Sequence, residues 1–156
     1  MILDARNEFA DAVSVAAAAG TALIGNVIDT AAIHRDMGQG HRVFLVITTD
    51  TAIITGGVAG TVKFQLTSDA QAAIATDGSA TVHIDTGTFV TGAASASPLT
   101  VNGVIACIPL PNEGKVYERY LGVLAVTATT TTTAGKINAF LTLDPIGWQA
   151  YPEGAN

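Results

Sequence analysis

The chain has 156 residues, within the roughly 100–200 residues of a single domain, and at this size about two thirds of the unfolded surface is buried on folding, enough for a core without metals or crosslinks. Apolar residues make up 49% and charged residues only 13%, with 7 Lys+Arg against 13 Asp+Glu and a net charge of −6. The cations Arg6, Arg35, Arg42, Lys63, Lys115, Arg119 and Lys136 form no basic run, which argues against a phosphate-tracking nucleic-acid surface. So little charge gives little electrostatic protection against association, and this points toward assembly with other protein.

The N-terminus, Met1-Ile2-Leu3-Asp4-Ala5-Arg6-Asn7-Glu8, lacks the basic and apolar regions of a secretory signal, so the protein is expected to act where it is made or assembled. The uncharged stretch 12–28 approaches a membrane span in length, but Ser14, Gly20, Thr21, Gly25 and Asn26 dilute it, and no membrane is expected as a partner. Residues 9–19 are alanine-rich and fit a helix of about three turns on propensity. Val13 and Val15 nevertheless alternate about Ser14, which favours an N-terminal arm or first strand over residues 1–20, followed by a strand at 22–28.

From there the apolar residues are often β-branched, recur with period two and are bounded by turn residues, so the chain reads as strands. Residues 42–49 hold the continuous run Val43-Phe44-Leu45-Val46-Ile47, suited to burial on both faces and hence to a central strand. Residues 60–67 alternate, with Val62, Phe64 and Leu66 directed to a core and Thr61, Lys63, Gln65 and Thr67 to water. Residues 68–75 have room for one helical turn capped by Ser68 or Asp69. Strands are expected at 80–86, 88–91, 103–110, 116–127 and 136–144, with Asn112-Glu113-Gly114 as a turn. The polythreonine 129–133 is either a strand end or a loop. Residues 145–156 form a Pro- and Gly-rich tail carrying Trp148. Seven or eight strands with frequent turns predict one all-β domain, an antiparallel β-sandwich with extended N- and C-terminal segments.

Candidate chemistry is sparse. His34 and Asp36 stand near Arg35 and Asp29, and His83 and Asp85 share a strand face at i and i+2. A pair of ligands falls short of the three or four that a protein zinc site takes, so no metal is expected. No Gly-x-Ser-x-Gly elbow is present, and no serine has a local context that pairs it with a histidine. Gly38 and Gly40 begin a dinucleotide fingerprint that Val43 breaks, and Gly135-Lys136 resembles a P-loop end without its first glycine or its Ser/Thr. No cofactor and no catalytic residues are expected, and the protein is read as not an enzyme. The lone Cys107, inside Val104-Ile105-Ala106-Cys107-Ile108, is expected to be a small core residue. Ile2, Leu3, Phe9, Trp148 and Tyr151 near the two ends are too apolar to stay in water, so they are expected to pack on this domain or on a neighbour, and they are the candidate interface.

Several segments resemble the capsid cement, or head decoration, proteins of tailed bacteriophages, in the branch first known from short-tailed phages. Met1-Ile2-Leu3-Asp4 with Phe9-Ala10-Asp11-Ala12 is similar to that family's start, and Asn26-Val27-Ile28-Asp29 to its next landmark. Arg35-Asp36-Met37-Gly38 followed by Gly40 resembles the turn before its first long core strand, and Phe64-Gln65-Leu66-Thr67-Ser68-Asp69 a further strand end. Arg119-Tyr120-Leu121, Ala134-Gly135-Lys136 and Leu141-Thr142-Leu143-Asp144 resemble its last strands, and Trp148-Gln149-Ala150-Tyr151-Pro152 its closing segment. Residues 77–100 carry no such landmark.

The resemblance implies a jelly-roll-like sandwich that is not an enzyme. Such a protein is made in the host cytoplasm, binds the capsid exterior of the virion as a homodimer or homotrimer, and bridges major capsid protein subunits. The alternative expectation is a carbohydrate-binding β-sandwich module on a virion surface, with Tyr117, Tyr120, Trp148 and Tyr151 stacking on sugar faces.

Overall fold

In the computed structural model, residues 5–31 and 40–145 are described. After a short 3-10 turn at Ala5–Asn7, nine strands follow: β1 (Glu8–Ser14), β2 (Gly20–Asp29), β3 (Phe44–Thr55), β4 (Gly60–Asp69), β5 (Thr81–Asp85), β6 (Phe89–Thr91), β7 (Val104–Pro109), β8 (Tyr120–Ala128) and β9 (Thr132–Thr142). All pairings are antiparallel. One sheet, A, has the order β1-β9-β3-β7, and the other, B, has the order β2-β8-β4-β5, with β6 continuing along the same side of β4 as β5. Successive strands thus alternate between the sheets until β4, and β1 waits for β9. This is the two-sheet wrapping of a jelly roll, and the expected all-β sandwich is what the chain forms.

The alternation read from the sequence sets the core. Val62, Phe64 and Leu66 on β4 meet Leu45, Ile47, Ile137 and Ala139 from sheet A in one buried cluster that also holds Phe9. The run on β3 is buried on both faces, as expected of its inner position. Leu45 and Ile47 join the interlayer core, while Val46 pairs with Phe140 on the outward face, and both are 1% exposed. A smaller cluster lies on the outward face of sheet B, where Ile74 and Ala80 from the β4–β5 connection cover Leu124. Gly122 makes room for it, because a Cβ there would stand 2.9 Å from Leu23 and 3.0 Å from Ile74.

The alanine-rich segment is strand β1 and not a helix, since β9 supplies it with a ladder that propensity does not foresee. That strand is the reading the alternation favoured, and two other expectations are corrected. Residues 70–80 bend without a helical turn, although Asp69 does cap local amides, its carboxylate accepting the N–H groups of Gln71 and Ala75 at 3.0 Å each. Cys107 is exposed. A register shift in the β3–β7 ladder turns both Ile105 and Ala106 into the core, which leaves Cys107 on the outward face. The polythreonine takes both of its readings: residues 129–131 turn, and Thr132 opens β9.

Residues 92–103 lie along the part of β3 that β7 does not reach. Ile53 N–H donates to Leu99 O (2.9 Å), Thr49 N–H to Gly103 O (2.8 Å) and Asn102 N–H to Thr49 O (2.8 Å), with Leu99 itself in the core. The region without landmarks is therefore part of the sandwich wall.

Candidate functional site

The two ends of the sandwich are built differently. At one end β3, β8 and their neighbours close with threonines. Thr132 Oγ1 donates to the carbonyls of Val15 (2.7 Å) and Ala17 (3.1 Å) and accepts Ala17 N–H (3.0 Å). Thr91 Oγ1 donates to Thr55 Oγ1 (3.2 Å), which donates to Val58 O (2.6 Å). All three hydroxyl-bearing residues are buried, and each hydroxyl has its partner.

The opposite end is open. Between the end of β2, the start of β3 and the β7–β8 connection lies a cleft of about 240 Å³. Val43, Leu110, Leu121 and Tyr117 form its apolar wall, and Thr30, His41, Asn112 and Glu118 bring polar groups to it. Its rim is fixed by long-range contacts. Arg119 makes a two-pronged ion pair with Asp29 at 2.9 and 2.8 Å, and its guanidinium lies 4.9 Å from the centre of the Tyr120 ring. Thr30 donates from both N–H (2.9 Å) and Oγ1 (2.7 Å) to Arg119 O.

Behind the cleft a polar cluster ties the β7–β8 connection to sheet B. The His83 and Tyr117 rings stack at 3.9 Å, 15° from parallel. His83 Nε2 is 2.8 Å from Ser68 Oγ, which also accepts Glu118 N–H (3.1 Å), and Thr81 Oγ1 donates to Glu118 Oε1 (2.8 Å). Burial, then the nearby Lys115 cation, hold the imidazole below its ordinary value, and burial pushes the Tyr117 phenol up to about 12. Neutral His83 suits this geometry, since its Nε2 accepts the Ser68 hydroxyl proton while Ser68 accepts the amide.

The fold thus makes a Ser–His contact where the sequence offered no local pairing. Its signal was the register, because Ser68 pairs with Thr81 and so lies diagonally beside His83. Ser68 is 0% exposed, so its hydroxyl has no open face toward a substrate, and the contact acts as a clamp.

The structure separates the other candidates. His83 faces Ser68, whereas Asp85 accepts from Lys63 Nζ (2.7 Å) and Gln65 Nε2 (2.8 Å). Burial pulls the Asp85 carboxyl up, but these donors outweigh it and its value is lowered. No group of three metal-ligating side chains occurs among the described residues. Of the candidate interface, Phe9 is wholly buried in this domain's own core, the first of its two expected outcomes, and its side chain is not available to a neighbour. Ile2, Leu3, Trp148 and Tyr151, like His34 and Asp36, lie outside the described residues. Tyr117 and Tyr120 each have one ring face occupied, by His83 and Arg119. No helix among the described residues is long and apolar enough to cross a membrane.

The fold and the cleft at one of its ends define a jelly-roll sandwich with a loop-lined cleft, and comparison with known families agrees on its extent. The chain matches the Bbp16 family over residues 9–141, from the second residue of β1 to the penultimate residue of β9. It belongs to the Bbp16 family, a phage-related family. No curated protein matches it.

Proposed function

We propose that this is a capsid cement protein, bound to the outer surface of a phage head as a homo-oligomer and bridging major capsid protein subunits. The observation that carries the reading is membership of a phage-related family across the whole sandwich, together with the landmarks shared with head decoration proteins. The charge-poor composition and the jelly-roll wall agree with it. A cement protein meets many equivalent sites, and an oligomer touching several coat subunits gains avidity without a single tight contact.

The coat-facing surface in this reading is the cleft end. There β1 begins and β9 ends, and in this reading the candidate residues Ile2, Leu3, Trp148 and Tyr151, carried before β1 and after β9, serve the coat contact. The reading needs no cofactor and no reaction, and it places the protein on the capsid exterior after synthesis in the host cytoplasm.

The test is rebinding. Purified protein mixed with heads stripped of decoration is expected to co-sediment with them and to appear by electron microscopy as density bridging neighbouring coat subunits. Protein that stays in the supernatant at every concentration removes the proposal. A glycan array separates the carbohydrate-binding alternative, which requires specific sugar binding indifferent to coat protein.

A further inference from the structure

A sandwich of two sheets has four edges, and an edge strand presents backbone donors and acceptors that only another strand can pair. Three of the four edges are blunted here. Strand β1 has two register shifts against β9, a positive φ of 49° at Ala12, and carries Glu8 and Asp11. Strand β2 is broken by a bulge at Gly25, with φ of 66° and the Phe9 carbonyl so close that a Cβ would collide with it. The β5–β6 edge is interrupted between Asp85 and Phe89 and carries the Lys63–Asp85 ion pair beside it. Irregularity and charge of this kind are how natural sheets prevent edge pairing.

The fourth edge, β7, carries no charge, and its irregularities lie at its two ends, a register shift between Val104 and Ala106 and Pro109 without an N–H, which leaves residues 106–108 regular. Its sequence, Val-Ile-Ala-Cys-Ile-Pro, has no charged residue, and its register with β3 is regular from Ala106 to Pro109. Leu110 N–H donates to Val43 O across the same ladder. Antiparallel bonding alternates residue by residue, so Leu110, Ile108 and Ala106 bond inward to β3, while the Cys107 N–H and C=O and the Pro109 C=O point away from the sheet. Cys107 and Pro109 are both exposed. The segments leading into and out of β7 carry Val101 and Val116, which are 57% and 84% exposed.

We propose that β7 is the self-association edge of this protein, pairing antiparallel with β7 of a second copy across a twofold axis at Cys107. This deepens the oligomer of the proposed function and rests on that part of it. Cys107 is the position whose outward N–H and C=O can be satisfied by the same two groups of an identical strand, giving two reciprocal hydrogen bonds on the axis, which is the self-complementarity a twofold contact demands. Pairing extends sheet A from four strands to eight. On the outward face the apolar row Phe140, Val46, Cys107 then runs on into its own mirror order. The antiparallel arrangement also brings the Val101 end of one strand toward the Val116 end of the other. A strand from an unlike partner would meet no such symmetry, and a closed pair of edges leaves no free edge for fibre growth.

Sedimentation equilibrium of the full chain decides the matter. Wild-type protein is expected at twice the chain mass and Cys107→Ser likewise, whereas Cys107→Lys, which sets two like charges facing each other on the axis, is expected at the chain mass. Cys107 is exposed, so the lysine variant is expected to fold, and an unchanged circular dichroism melt at low concentration verifies it. A short bismaleimide is expected to join wild-type chains in pairs through Cys107, while the Cys107→Ser dimer stays unlinked. A monomeric or trimeric wild type, or a lysine variant of unchanged mass, overturns the inference. Head rebinding, measured separately, keeps the two readings apart. Protein that rebinds heads while Cys107→Lys keeps its mass refutes the β7 pairing alone, and a β7-paired dimer that ignores heads refutes the cement function alone.

Discussion

The threonine end and the cleft end of the sandwich use opposite chemistry to finish the same pair of sheets. The first is closed by neutral hydroxyls bonded to backbone, as in Thr132 to Val15 and Ala17. The second is held by an ion pair, a cation over a ring and a histidine stack, and it keeps an opening. Neutral hydrogen bonds inside a buried shell do not respond to pH or salt, whereas the groups around the cleft do. The difference assigns rigidity to one end and responsiveness to the other.

The sharpest way to break this contrast is Gly135→Ala on β9 beside the threonine end. With φ of 141° and Ile53 Cγ1 at 2.8 Å from the position a Cβ would take, the methyl group must displace a core side chain, and a loss of about 3 kcal/mol is expected. Thermal denaturation checks it, at about 2–4 °C of melting temperature per kcal/mol for a chain of this size. Next comes Thr132→Val, which leaves the part-buried Ala17 N–H and the buried Val15 carbonyl without the hydroxyl and is expected to cost about 1–3 kcal/mol, unchanged between low and high salt.

Smaller effects belong to the cleft end. The folded His83 value lies below the ordinary 6.5, so the unfolded chain binds the proton more readily. Stability is therefore expected to be intact above about pH 6.5 and to fall as the pH drops below that value toward the lower folded one. His83→Gln is expected to flatten that limb of a melting-temperature profile. The carboxyls of Asp69, Asp77 and Asp85 are also lowered, from 3.8, and their contribution is lost only in a separate, more acid window. Last, Arg119→Ala removes an exposed ion pair and is expected to leave global stability unchanged at about 0.15 M salt. It should nevertheless increase hydrogen exchange at Thr30, whose amide is bonded to the Arg119 carbonyl.

Strands whose two faces differ in polarity were legible in the sequence. The alternation on β4 placed Val62, Phe64 and Leu66 inward, and all three are 0% exposed. It also sent Thr67 to water, whereas Thr67 is likewise 0% exposed, its hydroxyl donating to Gly122 O at 3.2 Å. Where a run is apolar throughout, alternation has no phase to report, and the side of the sheet that Cys107 takes depends on a register shift against β3. The cleft was illegible for another reason. Asp29 and Arg119 are 90 residues apart and Ser68 and Glu118 are 50 apart, and such pairs arise from jelly-roll crossovers that leave no local mark. Leu110 and Val43 likewise read as strand ends until the fold sets them facing a common space. The order of the strands was available only through resemblance, since periodicity identifies strands but not their neighbours.

The pairing of β1 with β9, from Glu8 with Phe140 to Ser14 with Lys136, has a consequence for synthesis. A ribosome delivers the first strand of sheet A long before its only ladder partner, and β3, already emerged, lacks the same neighbour. Sheet A therefore cannot close before β9 has emerged, and β1 and β3 lack that neighbour until then. Chain topology of this kind folds slowly and exposes unpaired strands to aggregation, so a nascent chain arrested before β9 is a natural client for a chaperone.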